Sequence, residues 1–246
     1  MRRFSTQELL RAWEVGETQH PVDRALTLLS NAWPDLTRDE LASLSIGQRD
    51  GRLLDLREDT LGPNLNATAR CTRCAERLEF MVPVADLRVL SEPDDSGQET
   101  YGVITDGLEL RFRLPNSRDL AASLGCREPT SARKLLAQRC VLGVRRNGED
   151  VDVEELSAEA LSGLAHEMAD CDPQAEVLLD LHCLACDHGW REPFDILGFF
   201  WSELSAQANR LLREVDALAR AYGWREADIL GLSARRRQFY LEMASG

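Results

Sequence analysis

Residues 69–80 read ARCTRCAERLEF and residues 180–195 read DLHCLACDHGWREPFD, and the relation between these two C-x-x-C pairs decides how the chain folds. The spacing lets two thiolates converge on one ion, but each pair supplies only two ligands where a structural zinc takes four. Both pairs carry an apolar residue four positions beyond the second cysteine, Leu78 after Cys74 and Trp190 after Cys186, and both run into sequence of extended character. That internal echo is what the two knuckles of a zinc ribbon produce. It predicts one structural zinc per chain, held by Cys71, Cys74, Cys183 and Cys186. The objection is the gap, since 108 residues lie between Cys74 and Cys183. Closing a loop of about 100 residues costs on the order of 5 kcal/mol, whereas structural zinc binds small finger peptides with about 10–16 kcal/mol. Metal binding wins, and a folded insert shortens the gap.

A redox dithiol is the competing reading. There C-x-x-C opens a helix after a strand, whereas here extended sequence follows both pairs. A catalytic zinc keeps an open position and uses histidine or carboxylate ligands, and four thiolates close the shell. His182 and His188 flank the second pair, with His188 standing as the alternative to one cysteine. Cys126, Cys140 and Cys171 have no partner at ligand spacing, and Cys140 in KLLAQRCVL (134–142) reads as a small buried apolar residue. Seven cysteines is an odd number, and the opening residues MRRFSTQELLRAWEV lack the unbroken apolar stretch of an export signal. Both points favour metal binding over a disulfide framework.

Outward from the pairs, residues 1–65 read as an N-terminal helical region. Ser5-Thr-Gln-Glu8 and Thr37-Arg-Asp-Glu40 fit the capping box, Pro21 suits the first position of a helix, and Leu53, Leu54, Leu56 and Leu61 fit a further helix ending near Gly62-Pro63. The split zinc ribbon takes residues 66–86 and 179–196, with RLEFMVPVADL (77–87) and AEVLLDLHC (175–183) as its extended runs. Residues 87–178 form an inserted α/β subdomain. In it, 91–100 is an exposed loop, Asp106-Gly107 inside YGVITDGLELRFRL (101–114) marks a hairpin, and helices run over about 116–125, 130–142 and 156–170. Residues 197–246 form a C-terminal helical tail. Leu204, Ala208, Leu211, Leu212, Val215, Leu218, Ala219 and Tyr222 draw one apolar stripe, which either the N-terminal helices or a partner must cover. Gly223 closes that helix, and two shorter ones follow. The fold class is therefore α+β, mainly α, with helical N- and C-terminal regions around a split zinc ribbon that holds a hairpin-plus-helices insert.

Composition narrows the function. A hydrophobic content of 43% supports a folded core, and the longest apolar run, ILGFFW (196–201), is far short of the roughly 20 residues of a membrane span. A soluble chain with no membrane partner is expected. A formal net charge of −13 argues against nucleic acid as a partner, because phosphate contacts need a positive surface. The alternative of a zinc-ribbon, helix-turn-helix nucleic-acid regulator rests on Arg235-Arg236-Arg237, yet residues 201–246 hold seven arginines against six acidic residues. No nucleophile elbow, phosphate loop, dinucleotide fingerprint or H-E-x-x-H motif occurs, and His20 and His166 are isolated. Neither an enzyme nor a small-molecule substrate is expected. At the end of the chain Tyr222, Trp224, Phe239 and Tyr240 crowd beside the three arginines, the residue types enriched at the energetic centres of interfaces. Trp224 is the expected core residue of the tail, and Arg236, Arg237 and Tyr240 are the candidates for partner contact.

Seven stretches together carry a family resemblance: HPVDRALTLL (20–29), LSIGQRDGRLLDLRE (44–58), CTRCAERLEF (71–80), LRFRLPNSRDL (110–120), DPQAEVLLDLHCLACDHGW (172–190), PFDI (193–196) and LLREVDALARAYGWREADILGLSARRRQFYLEM (211–243). In this order they resemble the baseplate proteins of contractile-tailed, T-even-like phages, described as hub or hub-assembly proteins, with relatives in phage-tail-like contractile injection systems. The resemblance implies a non-enzymatic structural or chaperone-like assembly component, made in the bacterial cytoplasm and working against other baseplate or tail proteins, either during assembly or within the phage tail or injection particle.

Overall fold

The computed structural model describes residues 2–89 and 100–245; of the loop read at 91–100, residues 91–99 lie outside them. The chain begins with α1 (Thr6–Glu17), α2 (Pro21–Ala32), α3 (Arg38–Ser43) and α4 (Ile46–Leu61), then the hairpin β1 (Asn64–Arg70) and β2 (Arg77–Pro83) and the short α5 (Val84–Leu87). Next come β3 (Tyr101–Thr105), β4 (Leu108–Phe112), α6 (Ser117–Ser123), α7 (Pro129–Cys140), β5 (Val141–Arg146), β6 (Glu149–Asp150) and α8 (Ala158–Cys171). A second hairpin, β7 (Leu178–His182) and β8 (Gly189–Pro193), precedes α9 (Ile196–Tyr222), α10 (Glu226–Leu230) and α11 (Ala234–Ser245). Helix predominates over small antiparallel sheets. No helix among the described residues is long and apolar enough to cross a membrane.

The chain divides into two compact units, Met1–Asp35 with Ile196–Gly246, and Leu36–Asp195. In the first, α1 starts where the Ser5 side chain accepts from the Glu8 amide while the Glu8 carboxylate accepts from the Ser5 amide, and α2 has Pro21 at its first position with His20 Nδ1 accepting from Val22 N–H. Leu9, Leu10 and Ala12 of α1 and Ala25, Leu28 and Leu29 of α2 are buried, as are Phe200, Leu204, Ala208, Leu211 and Leu218 of α9. The long stripe is thus covered inside the unit, by α1, α2, α10 and α11. Gly16 lets α1 approach α9: a Cβ there would lie 2.5 Å from the Trp201 ring, over whose face the Arg24 guanidinium stacks at 4.1 Å. Behind Gly223, Tyr222 stacks on Trp224 at 4.7 Å, Trp224 meets Tyr240 edge-on at 4.8 Å, and Tyr222 Oη donates to the Tyr240 carbonyl.

One expected contact residue changes role in this unit. Arg237 is only 3% exposed; its Nε donates to Glu214 Oε2 at 2.9 Å and its Nη1 to the Leu232 carbonyl at 2.6 Å. It straps α11 to α9, because a buried guanidinium must satisfy its donors locally. Tyr240 is half-buried in the aromatic cluster, and Arg236 is exposed.

The second unit holds α3 and α4, which the sequence reading grouped with residues 1–65. They pack here because Ser45 forms a bridge with Asn116 before α6, and Gly47 N–H donates 2.9 Å to the Asp172 carboxylate after α8. Arg57, 2% exposed, donates from both terminal nitrogens to the Gly62 and Asn64 carbonyls and fixes the exit from α4 into β1. The sheet β3-β4-β5-β6 is antiparallel throughout. Its Leu108, Leu110, Phe112 and Val144 face Leu156, Ala160, Leu161 and Leu164, forming the core of the insert. Asp106-Gly107, with φ of 51° and 67°, makes the expected two-residue turn. Asn147-Gly148 (φ 53° and 86°) makes a second one, between β5 and β6; the chain leaves α7 at Cys140, two residues before the helix end read from sequence.

Two glycines of α4 give opposite expectations. A Cβ on Gly47 would lie 2.0 Å from Asp172 Oδ1 and 3.0 Å from the Ala175 backbone nitrogen, so Gly47→Ala pushes out the buried carboxylate and is expected to lower stability by about 2 kcal/mol. Gly51 meets only the Gln174 side chain, at 3.9 Å. There alanine should stabilise by about 0.5–1 kcal/mol through lower backbone entropy. Chemical denaturation of the two variants checks the pair; equal effects would mean that the Asp172 contact does not set the position of α4.

Candidate metal centre

Each cysteine pair sits at the turn of one hairpin, and the two turns have the same construction. Beyond the last pair of β1 and β2, Arg70 with Arg77, Cys71 N–H donates to the Glu76 carbonyl and the Ala75 amide returns to the Cys71 carbonyl, both at 2.9 Å. Beyond His182 with Gly189, Cys183 N–H donates to the His188 carbonyl and the Asp187 amide returns to the Cys183 carbonyl, again both at 2.9 Å. The residue after each second cysteine is left-handed, Ala75 at φ 61° and Asp187 at φ 59°. Outside glycine this conformation is uncommon, and its use twice at equivalent positions makes the two turns a matched pair of knuckles.

The structure brings all four expected ligands together. The sulfurs of Cys71, Cys74, Cys183 and Cys186 lie within 4.8 Å of one another, with Cys71 Sγ 3.6 Å from Cys186 Sγ and Cys74 Sγ 3.6 Å from Cys183 Sγ. All four are free thiols, and a disulfide would need about 2.05 Å. A tetrahedron with metal–sulfur bonds of about 2.3 Å has edges near 3.8 Å, so the observed spacing matches four sulfurs around one ion. Cys183 and Cys71 are buried, Cys186 half-buried and Cys74 exposed. The four cysteines can hold a metal ion, and four thiolates would leave it no open position.

Local electrostatics differ among the thiols. At Cys71 burial opposes ionisation, but the amides of Cys74 and Arg73 outweigh it, with help from the Cys74 and Cys186 thiols, and pull the group down to about 6. At Cys186 burial, reinforced by the neighbouring thiols, pushes it up to about 12. His188 Nε2 lies 3.0 Å from Thr72 Oγ1, joining the two knuckles, and its ring stacks on Trp190 at 5.9 Å; it stands outside the sulfur cluster. His182 pairs with Asp187 at 3.0 Å. The Thr72 contact was not legible in the sequence, since it exists only once the knuckles meet.

The other cysteines stay apart from the cluster. Cys140 is fully buried, and burial with the Asp119 charge beside it pushes its thiol up to about 12; burial and Glu167 raise Cys171. Of the three residues expected at a partner surface, Arg236 is exposed, Tyr240 half-buried and Arg237 buried.

Neither a curated protein nor a solved structure matches the chain. The family model described as T4 bacteriophage base plate protein matches residues 5–201. That span contains both hairpins, all four clustered cysteines and the whole insert between them. By a match over most of its length, the chain belongs to the T4 bacteriophage base plate protein family.

Proposed function

We propose that this protein is a non-enzymatic structural or hub-assembly component of the baseplate of a contractile phage tail or phage-tail-like injection system, with its two hairpins joined into a split ribbon by one structural zinc. The observation that carries the reading is the placement of the four-thiol cluster inside the span matched by the base plate family. Four soft ligands at tetrahedral spacing suit zinc, and a closed shell offers no site for a substrate. Its working partners are then other baseplate or tail proteins, met in the bacterial cytoplasm as the particle is built. Contact through the tail falls to Arg236, with Phe239 and Met243 exposed along the same helix.

The role is tested by deleting the gene from a particle-producing locus and counting sheathed particles by electron microscopy. Loss of sheathed particles, with tube and sheath proteins still synthesised and wild-type complementation restoring assembly, is the expected result. Complementation with Arg236→Glu combined with Phe239→Ser should restore less than half the particles if that face is a contact. Normal particles from the deletion strain would refute the baseplate role. Mass spectrometry of purified particles separates a resident component from an assembly factor that departs.

A further inference from the structure

A cavity of about 800 Å³ opens in the second unit, beside the α3–α4 connection and the start of α6. Three arginines line it, Arg113, Arg118 and Arg139, against the single carboxylate of Asp119, with Leu44 and Leu142 among its apolar walls. Asp119 is fully buried and already engaged. Arg113 grips it with both terminal nitrogens, Nη1 to Oδ2 at 2.6 Å and Nη2 to Oδ1 at 2.9 Å, and Arg139 reaches Oδ1 through Nε at 2.8 Å. Arg139 therefore keeps both terminal nitrogens without a partner among the described residues. Among the described residues Arg118 spends only Nη2, on the carbonyl and carboxylate of Asp39. The two side chains are 37% and 45% exposed. The cavity wall thus carries three positive charges and one negative charge, in a chain of formal net charge −13.

A guanidinium fork with unused coplanar donors matches a carboxylate in shape and charge. The volume falls within the range of about 300–1,000 Å³ usual for binding pockets, and the leucine walls suit an apolar neighbour of the anionic group. We propose that this cavity is a docking site for an acidic, leucine-containing segment of a partner protein, with an aspartate or glutamate side chain seated on the free fork of Arg139 and with Arg118 adding charge at the same cavity. The inference goes beyond the assembly role and does not depend on the metal, because binding is read on the purified chain.

The test is fluorescence anisotropy of the full chain with a fluorescein-labelled Leu-Glu-Glu-Leu-Glu-Glu peptide, compared with its glutamine counterpart. The glutamate peptide should bind at least about tenfold tighter, a difference of about 1.4 kcal/mol. Arg139→Gln should weaken it by a similar factor. Arg118→Gln should weaken it about threefold, or ~0.6 kcal/mol, and Arg210→Gln on α9 should change nothing. Because Arg139 also holds Asp119, Arg118→Gln, whose partner Asp39 lies at the surface, keeps the result readable if Arg139→Gln folds poorly by circular dichroism. The proposal is overturned by no saturable binding at millimolar peptide, by equal affinity for the glutamine peptide, or by wild-type affinity in the folded arginine variants. Complete displacement by millimolar inorganic phosphate would also overturn it, since the cavity would then be a simple anion site.

Discussion

Cys183→Ser protein is expected to purify without metal and to melt roughly 10–20 °C below the wild type, which itself should carry one zinc per chain. Cys183 is fully buried and belongs to the cluster, and a serine hydroxyl is a poor substitute for a thiolate at a zinc site. Attachment of a zinc ion is of the order of 10 kcal/mol or more in small zinc domains, and here it would close a loop of more than 100 residues whose ordering costs about 5 kcal/mol. The surplus is comparable to the whole stability of many domains, about 5–15 kcal/mol. The two hairpins, left with two half-sites, should lose their register against each other first. A strong chelator should reproduce the effect on wild-type protein. Replacing Cys126, Cys140 and Cys171 together with alanine provides the control: none joins the cluster, so the metal content should stay at one, at a packing cost of about 1–3 kcal/mol for buried Cys140. Metal-free wild-type protein that melts normally, or a Cys183→Ser variant that keeps its zinc, would sink the metal assignment.

Asp119→Ala is expected to cost about 3 kcal/mol at neutral pH, toward the lower end for a broken buried ion pair because both arginines reach solvent. The carboxylate accepts from Arg113 and Arg139 and from the Asn116 amide at 3.0 Å, while the Asn116 side chain accepts from the Arg118 and Asp119 amides. Alanine leaves two guanidinium groups facing each other and opens the first turn of α6. Burial alone would raise the Asp119 carboxyl; the bonds from Arg113, Asn116 and Arg139 overcome it and hold the group below its ordinary value. Since the folded-state value lies below the unfolded one, the unfolded chain binds more protons between the two. The contribution of Asp119 is therefore complete above the ordinary carboxyl range near 4 and is lost as pH falls through the folded value. Calorimetry from neutral pH downward should show the wild type and Asp119→Ala converging in acid. A gap that stays constant would show that the contribution of Asp119 does not depend on its charge, and a variant as stable as the wild type at neutral pH would show that the network around it carries no net stability. Asp119→Asn should fall between, keeping the cap but not the charge.

The parts of this fold legible in the sequence are those whose hydrogen bonds close within a few residues. The capping boxes of Ser5 with Glu8 and Thr37 with Glu40 form as read, as does the Asp106-Gly107 turn, because side-chain type and spacing alone fix such geometry. Asn147-Gly148 carried the same kind of signal, but the helix reading took in Val141 and Leu142, the first residues of β5, and left the turn without its first strand. A short apolar run has no period to separate helix from strand. The echo between Leu78 and Trp190 likewise reflects local structure, since each follows a knuckle closed by its own backbone.

Tertiary structure alone decided the rest. The sequence pointed to one shared site for the four cysteines, but the geometry by which it joins residues 109 positions apart, knuckle against knuckle, came only from the folded chain. The stripe on α9 required a cover, and only packing settled that α1 and α2 provide much of it. Arg237 looked like its neighbours Arg235 and Arg236, yet Glu214, 23 positions away, makes it a buried strap. Asp119 could be read as a capping residue, but not as the anchor of Arg139, 20 positions later. A charged side chain is buried or exposed according to whether a distant partner can satisfy it, and that partner is absent from its own sequence neighbourhood.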